Sequence, residues 1–149
     1  MGKGQKLYSK AKQIVAGGNM LLSKRPEMFL PDLWPSYFSK TEGCKVWDMD
    51  GNEFVDTLMI PGTNTLGYSH PEIDEAVKKI ISEGNMSTLN APEEVELTEK
   101  LIDLHPWADM ARFARSGGEA NSVAIRIARA ASGKDNVAFC GYHGWHDWY

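Results

Sequence analysis

The chain has 149 residues and a net charge of -4, with 42% hydrophobic and 24% charged side chains; these values exclude a disordered tail or a collagen-like repeat and suit either one ordinary domain or a piece of something larger. Its lysines and arginines are scattered rather than clustered, which argues against nucleic acid or an anionic membrane as a partner, and no stretch approaches the roughly 20 apolar residues of a membrane span. Cys44 and Cys140 lack any CxxC spacing, and the polar, lysine-bearing start from Met1 to Lys12 lacks the apolar run of a signal peptide, so a cytoplasmic protein with reduced thiols is expected.

Leu7, Ala11, Ile14 and Val15 share one helical face, and Gly17-Gly18 supply residues that stop a helix, which predicts a short N-terminal helix. Between Gly18 and Pro35, three prolines without a clear period read as an extended arm lying over something else. From Tyr37 to Thr57 the residues turn aromatic and β-branched. Val46-Trp47 and Phe54-Val55 bracket Asp48 to Asn52, and the Asp50-Gly51 pair accepts the left-handed conformations of a tight turn. A hairpin or a small antiparallel sheet is expected there.

Pro61 to Gly67 is small, polar and glycine-rich. Pro71 then opens a helix with Ile73, Val77, Ile80 and Ile81 as its apolar positions and Gly84 as its end. A second helix begins at Pro92 with Glu93 and Glu94 in its positive first turn, continues through Val95, Leu97, Leu101, Ile102 and Leu104, and ends before Pro106. Ala111 to Arg115 is a strand candidate, Gly118 to Ala131 a helix stopped by Gly133, and Val137 to Cys140 another strand candidate. That order is the repeat from which parallel α/β sheets are made, and since such a sheet needs more strands, the sequence reads as cut off rather than complete.

Chemistry concentrates at Arg115-Ser116-Gly117-Gly118-Glu119-Ala120-Asn121, where the expected strand passes into the helix. Glycines there let the backbone approach a ligand, and free amides at a helix start, with the positive end of the dipole, make a phosphate seat to which Ser116 adds a hydroxyl. Gly-Gly before a helix is also commonly no more than a tight turn. The segment is neither a Walker A loop nor a full dinucleotide fingerprint. The following helix is expected to bury Ala120, Val123, Ala124, Ile127, Ala128 and Ala131. Cys140 to Tyr149, after the next expected strand, opens on the same carboxyl edge of the sheet, where Tyr142 has a ring to lay on a flat heteroaromatic cofactor. His143 and His146 have a spacing open to metal, but Asp147 alone beside them makes a poor zinc set, and no metal is expected.

Arg115 to Ala131 followed by Tyr142-His143-Gly144, together with Tyr68-Ser69-His70-Pro71-Glu72 and Val46 to Asn52, resembles the class III aminotransferases that use pyridoxal 5'-phosphate (PLP), specifically the glutamate-1-semialdehyde 2,1-aminomutase-like branch. The resemblance runs over nearly the whole chain and implies an α/β chain of fold type I (aspartate aminotransferase-like). Residues 1–57 would form the N-terminal helix, arm and small-domain hairpin, and residues 58–149 an incomplete first part of the large PLP-binding domain. It implies that Gly117 and Gly118 give backbone amides to the PLP phosphate, that Ser116 supports that loop, that Tyr142 stacks on the pyridine ring, and that His143 lines the same face. Many relatives carry threonine or another small residue at the position of Gly118, which puts a side-chain phosphate contact in doubt. Glu119 either orders the cofactor loop or caps its own helix, and both readings are open. The arm around Ser23, Lys24 and Arg25 resembles the region that meets a substrate carboxylate.

In such enzymes a lysine joins the cofactor as a Schiff base and moves a proton, and a carboxylate sits beside the ring nitrogen; both come after the point where this chain ends. Lys134, just past a helix stop, is not promoted to that role, so the chain alone is expected to be inactive. Family members pair as homodimers. The resemblance leaves open whether an amino group moves within one semialdehyde-like or sugar-like small molecule or between two, and a non-catalytic phosphate-binding remnant of the same fold is the alternative from another class.

Overall fold

Lys3–Ile14 form helix α1, whose interior side is Gly4, Tyr8 and Ala11. The computed structural model describes residues 1–60 and 62–141. These divide into two compact units, Met1–Asn85 and a second that begins at Met86. This division follows contacts along the chain and is a different partition from the small-domain and large-domain boundary expected at 57/58.

In the first unit α1 buries a stripe that shares only Ala11 with the face its aliphatic residues mark. Tyr8 is 6% exposed, whereas Leu7 is 41% and Ile14 71% exposed. The neighbour of α1 is the backbone of the arm, and a backbone neighbour selects small residues and hydrogen-bonding ones. A Cβ on Gly4 would collide with the Pro35 carbonyl. Gln5 Nε2 donates to the carbonyls of Leu33 and Trp34 at 3.2 and 3.1 Å, and the Tyr8 hydroxyl donates to Glu27 Oε2 at 2.9 Å. The arm therefore folds back along α1. It carries two 3-10 turns, Leu22–Lys24 and Pro26–Met28, and a stacked pair, Phe29 and Trp34, with ring centroids 4.5 Å apart.

The expected antiparallel sheet is present with three strands: β1 (Phe38–Glu42), β2 (Lys45–Asp48) and β3 (Glu53–Val55), in that order. Phe38 pairs with Asp48 and Glu42 with Lys45, with a bulge between Phe38 and Lys40; Lys45 pairs with Val55 across the hairpin. The β2–β3 turn is organised by Asp48, which is 7% exposed. Its Oδ1 accepts from the amides of Asp50 and Asn52, each at 2.9 Å, and its Oδ2 from the Asn52 side-chain amide at 2.9 Å, while Gly51 takes φ 87°. The Asn52 side chain, then the turn amides, hold the Asp48 carboxyl below its usual range.

After β3 the chain leaves in a loop closed at its neck. Asp56 Oδ1 accepts from the amides of Leu58 and Met59, and Asp56 Oδ2 accepts from the Tyr68 hydroxyl at 2.6 Å. Tyr68 also exchanges both backbone hydrogen bonds with Gly43, at 2.9 and 2.8 Å, where Gly67 approaches so closely that a Cβ there would lie 3.2 Å from the Gly43 backbone. Met59 and Ile60 inside the loop both have positive φ, 46° and 48°, a conformation that costs a side-chain-bearing residue about 1 kcal/mol or more. The neck bonds oppose relaxation of that strain. Helix α2 (Pro71–Glu83) follows, with proline in its first turn, Glu72 and Asp74 at its positive end, and Gly84 as its cap at φ 117°.

The second unit holds helix α3 (Glu93–Leu104), with three glutamates in its first turn, and helix α4 (Gly117–Ser132), which Gly133 ends in the left-handed region at φ 66°. Here two expectations fail. Ala111 to Arg115 and Val137 to Cys140 are irregular, since a strand exists only through a hydrogen-bonded neighbour and none pairs with them among the described residues. The apolar stripe of α4 is not buried either: Val123 is 37% and Ile127 61% exposed, because no second layer covers it within the described residues of its unit. The apolar side of α2 is likewise open, with Val77 51% exposed.

Replacing Tyr68 by Phe removes the donor at the neck and should lower unfolding stability by about 1 kcal/mol, read as a lower thermal midpoint. The pH window follows from the same pair. The Tyr68 hydroxyl hydrogen bond, with two backbone amides, lowers the Asp56 pKa, so this contribution is present above the ordinary aspartate value and is lost as pH falls through the lowered one. Burial, then the Asp56 carboxylate, pushes Tyr68 up to about 12. Its contribution is complete below the unfolded tyrosine value of about 10 and is lost as pH rises through about 12. A Tyr68→Phe protein with the wild-type pH profile of stability would count against the neck as the source.

Candidate functional site

Helix α4 starts on a side-chain cap reinforced from one residue further back. Ser116 is the N-cap, in extended conformation at φ -144° and ψ 159°, and its Oγ accepts from the Glu119 amide at 3.2 Å. Glu119 Oε2 reaches back to accept from the Arg115 amide at 2.8 Å. The Ser-x-x-Glu spacing puts the Glu119 amide within reach of Ser116 and its carboxylate within reach of the backbone just before the cap. The first helical bond runs from the Ala120 amide to the Ser116 carbonyl at 3.0 Å, which leaves the amides of Gly117 and Gly118, at the first two helical positions, with no intrahelical acceptor.

Those two amides point along the helix axis at the positive end of its dipole, beside a serine hydroxyl whose own hydrogen is not used in the cap. Space around Gly117 is open: a Cβ there would meet nothing within 4 Å. Gly118 is the one residue of α4 that is buried. Two backbone N–H donors, one hydroxyl and a helix dipole form a donor set suited to a phosphate group. The structure puts Ser116, Gly117 and Gly118 at the start of α4 and Glu119 in its cap. Tyr142 and His143 lie outside the described residues.

Beside this turn, Arg112 and Ala114 face Ala120, Val123, Ala124 and Ile127 across a groove of about 170 Å³. The segment read as a strand therefore lies against α4 even though it is not paired in a ladder. In the first unit a wider cleft of about 560 Å³ runs between β1 and the segment from Tyr68 to Pro71. Arg25, in the arm expected to meet a substrate carboxylate, lies close enough to Tyr8 and Glu27 to perturb both. The Asp56–Tyr68 pair had no mark in the sequence reading. An Asp and a Tyr 12 positions apart carry no local pattern, and only the proximity of the loop ends reveals them.

Comparison with known proteins decides the family. The model of the class-III aminotransferases matches residues 32–146. The chain belongs to this family. It is 39% identical over 149 residues to 3-aminobutyryl-CoA aminotransferase of Cloacimonas acidaminovorans, covering 99% of this chain and 36% of that protein. It is 36% identical over 149 residues to glutamate-1-semialdehyde 2,1-aminomutase of Methanothrix thermoacetophila, covering 99% of this chain and 34% of the relative. Among solved structures, the PLP internal aldimine form of the FumI protein of Sphingopyxis sp. MTA144 superposes with a TM-score of 0.85 at 32% identity, over 96% of this chain and 35% of that one. The fold is that of the type I PLP-dependent transferases, and PLP is the family's cofactor. The chain spans about a third of the length of these relatives. Among the described residues, no helix is long and apolar enough to cross a membrane.

The cap makes a direct prediction. Ser116→Ala should cost about 1 kcal/mol of helix stability and Ser116→Gly only a few tenths, because glycine tolerates the N-cap conformation. Far-UV circular dichroism melts of both variants check the order, and equal losses would mean that Ser116 does not act as the cap in solution.

Proposed function

We propose that the full-length protein is a PLP-dependent aminotransferase or aminomutase, and that this chain supplies its phosphate seat. The observation that carries the reading is the convergence of the Gly117 and Gly118 amides with the Ser116 hydroxyl at the start of α4, in a chain of this family. On this reading the two amides and the hydroxyl hold the cofactor phosphate, Tyr142 lies over the pyridine ring, and His143 lines the same face. When bound, PLP supplies an electron sink for an amine attached to it. The seat's part is positional: it holds the phosphate end fixed so that the ring meets Tyr142 in one orientation.

Because this chain spans about a third of its relatives' length, the lysine that joins the cofactor and the carboxylate beside the ring nitrogen are assigned to the rest of the protein. The same remainder, or a second copy in a homodimer, is assigned to cover the open stripe of Val123 and Ile127 on α4. Residues 1–57 then correspond to the arm and small-domain hairpin, and residues 58–149 to the first part of the large domain. The substrate is a small amino or keto compound, and the relatives span chemistries from a coenzyme-A-linked amine to a semialdehyde and an aminosugar.

Full-length protein incubated with PLP should develop the absorbance of a bound cofactor, and borohydride reduction should fix it to one lysine beyond Tyr149, located by peptide mass spectrometry. A productive amino donor should convert the bound aldehyde form to the amine form. Weak binding with no trapped adduct would instead favour the phosphate-binding remnant that keeps the fold without the chemistry.

A further inference from the structure

We infer that residues 19–35 form a strap that opens from α1 as one unit while the three-stranded sheet stays folded, held shut by the side chains of Gln5 and Tyr8 rather than by a buried apolar joint. The burial pattern carries this. Among the described residues of the strap only Pro26 is buried, whereas Leu22, Met28, Phe29, Leu30, Leu33 and Trp34 run from 37% exposed at Trp34 to 71% at Leu33. The strap thus meets α1 through its backbone and polar groups and leaves its large apolar side chains open. A segment that buries little apolar surface opens at a lower free energy than the structure it leans on. Its fastenings are the Tyr8 hydroxyl on Glu27 Oε2 at 2.9 Å and the two Gln5 bonds to the carbonyls of Leu33 and Trp34 at 3.2 and 3.1 Å. Lys12 also pairs with Glu27 at 3.7 Å, but both side chains are about half exposed and water screens the pair.

Two costs of the closed strap are relieved when it opens. At its far end Ser36 has φ 63°, in a tight turn closed by the Tyr37 amide on the Pro35 carbonyl at 2.7 Å, and a left-handed conformation is unfavourable for a residue with a side chain. At its start Asn19 Nδ2 is buried without a hydrogen-bond partner among the described residues, and such a donor is costly until water reaches it. The same two ends are where the backbone swings, since Gly17 and Gly18 take φ 75° and 80° just before the strap begins. Helix α1 keeps a tie to the sheet that does not pass through the strap: the Lys3 amide donates to Asp50 Oδ2, in the β2–β3 turn, at 2.8 Å.

Limited trypsin digestion of the full-length protein tests this. The bond between Lys24 and Arg25 lies within the strap, and a protease needs an extended stretch on both sides of its target, so a cut there requires the strap to leave α1. The next bond, Arg25 to Pro26, resists trypsin, so the product is a chain that starts at Arg25, identified by mass. Where opening and closing are fast relative to cutting, the rate follows the open population. Tyr8→Phe keeps the ring and removes the donor to Glu27, and Gln5→Ala removes both bonds to the carbonyls. Each should speed the cut about fivefold, the size of one net hydrogen bond. Tyr68→Phe weakens the neck of the loop without touching the strap and should leave the rate unchanged. Equal acceleration by Tyr68→Phe would mean that the cut passes through unfolding of the whole unit, and it would overturn the strap. No acceleration in Tyr8→Phe or in Gln5→Ala would overturn the fastening assigned to that side chain. If Tyr8→Phe does not fold, the comparison of Gln5→Ala with Tyr68→Phe still decides whether the strap opens separately.

Discussion

The start of helix α4 depends on two linked hydrogen bonds: Ser116 accepts from the Glu119 amide while the Glu119 carboxylate accepts from the Arg115 amide. Two glycines between these residues would otherwise leave the turn loose, since glycine loses more conformational freedom on ordering than any other residue. The capping bonds restrict that freedom locally while the space around Gly117 stays open. The pattern Ser-Gly-Gly-Glu thus reconciles two opposed requirements, an ordered backbone and an open helix terminus.

The first unit follows a similar rule on a larger scale. Among the described residues its buried apolar side chains are few, Tyr8, Ala11, Pro26 and Tyr68, and its order comes largely from side chains that bond to backbone. Asp48 gathers the β2–β3 turn, Asp56 gathers the start of the following loop, and Gln5 holds the arm's last carbonyls. Tyr8 and Tyr68 each combine a buried ring with a hydroxyl that donates to a carboxylate, Glu27 in one case and Asp56 in the other. These are short connections between segments that the hydrophobic effect alone would leave poorly registered. The exposed surface charges add little beside them. The Lys40–Glu42 and Lys78–Glu75 pairs are more than half exposed on both sides, where an ion pair contributes about 0–1 kcal/mol.

How much of this was legible in the sequence depends on the range of the interaction involved. Helices α2, α3 and α4 were readable because proline, acidic first turns and terminal glycines act within a few residues; Pro71, Glu93 and Gly133 stand where those rules put them. The hairpin was readable because Asp50-Gly51 fits only a tight turn between β-branched and aromatic residues. The place of Ser116 and its glycines at a helix start was readable for the same reason, and of the two readings of Glu119 the cap of its own helix is the one present. Of the aliphatic face of α1 only Ala11 is buried, because aliphatic periodicity marks an apolar neighbour and here the neighbour is the arm's backbone at Pro35. The two segments at Ala111 to Arg115 and Val137 to Cys140 have strand-like composition, but a strand is a relation between two segments and composition describes only one of them.

That last distinction also explains how the open stripe on α4 can coexist with a close match to solved relatives. Helical periodicity in Val123, Ile127 and their neighbours specifies which side of the helix is apolar, and hence its rotation about its own axis. Exposure instead measures which atoms surround that side among the residues present. The TM-score of 0.85 over 96% of the chain shows that the backbone path is the family's. The course of α4 therefore does not require its apolar stripe to be covered by the described residues. Its ends are set by groups that reach at most four residues along the chain, the Ser116 cap and Glu119 at one terminus and the left-handed Gly133 bonded to Arg129 at the other. A helix bounded in this local way keeps its N-terminal turn defined even where its flank is bare, in a chain that spans about a third of its relatives.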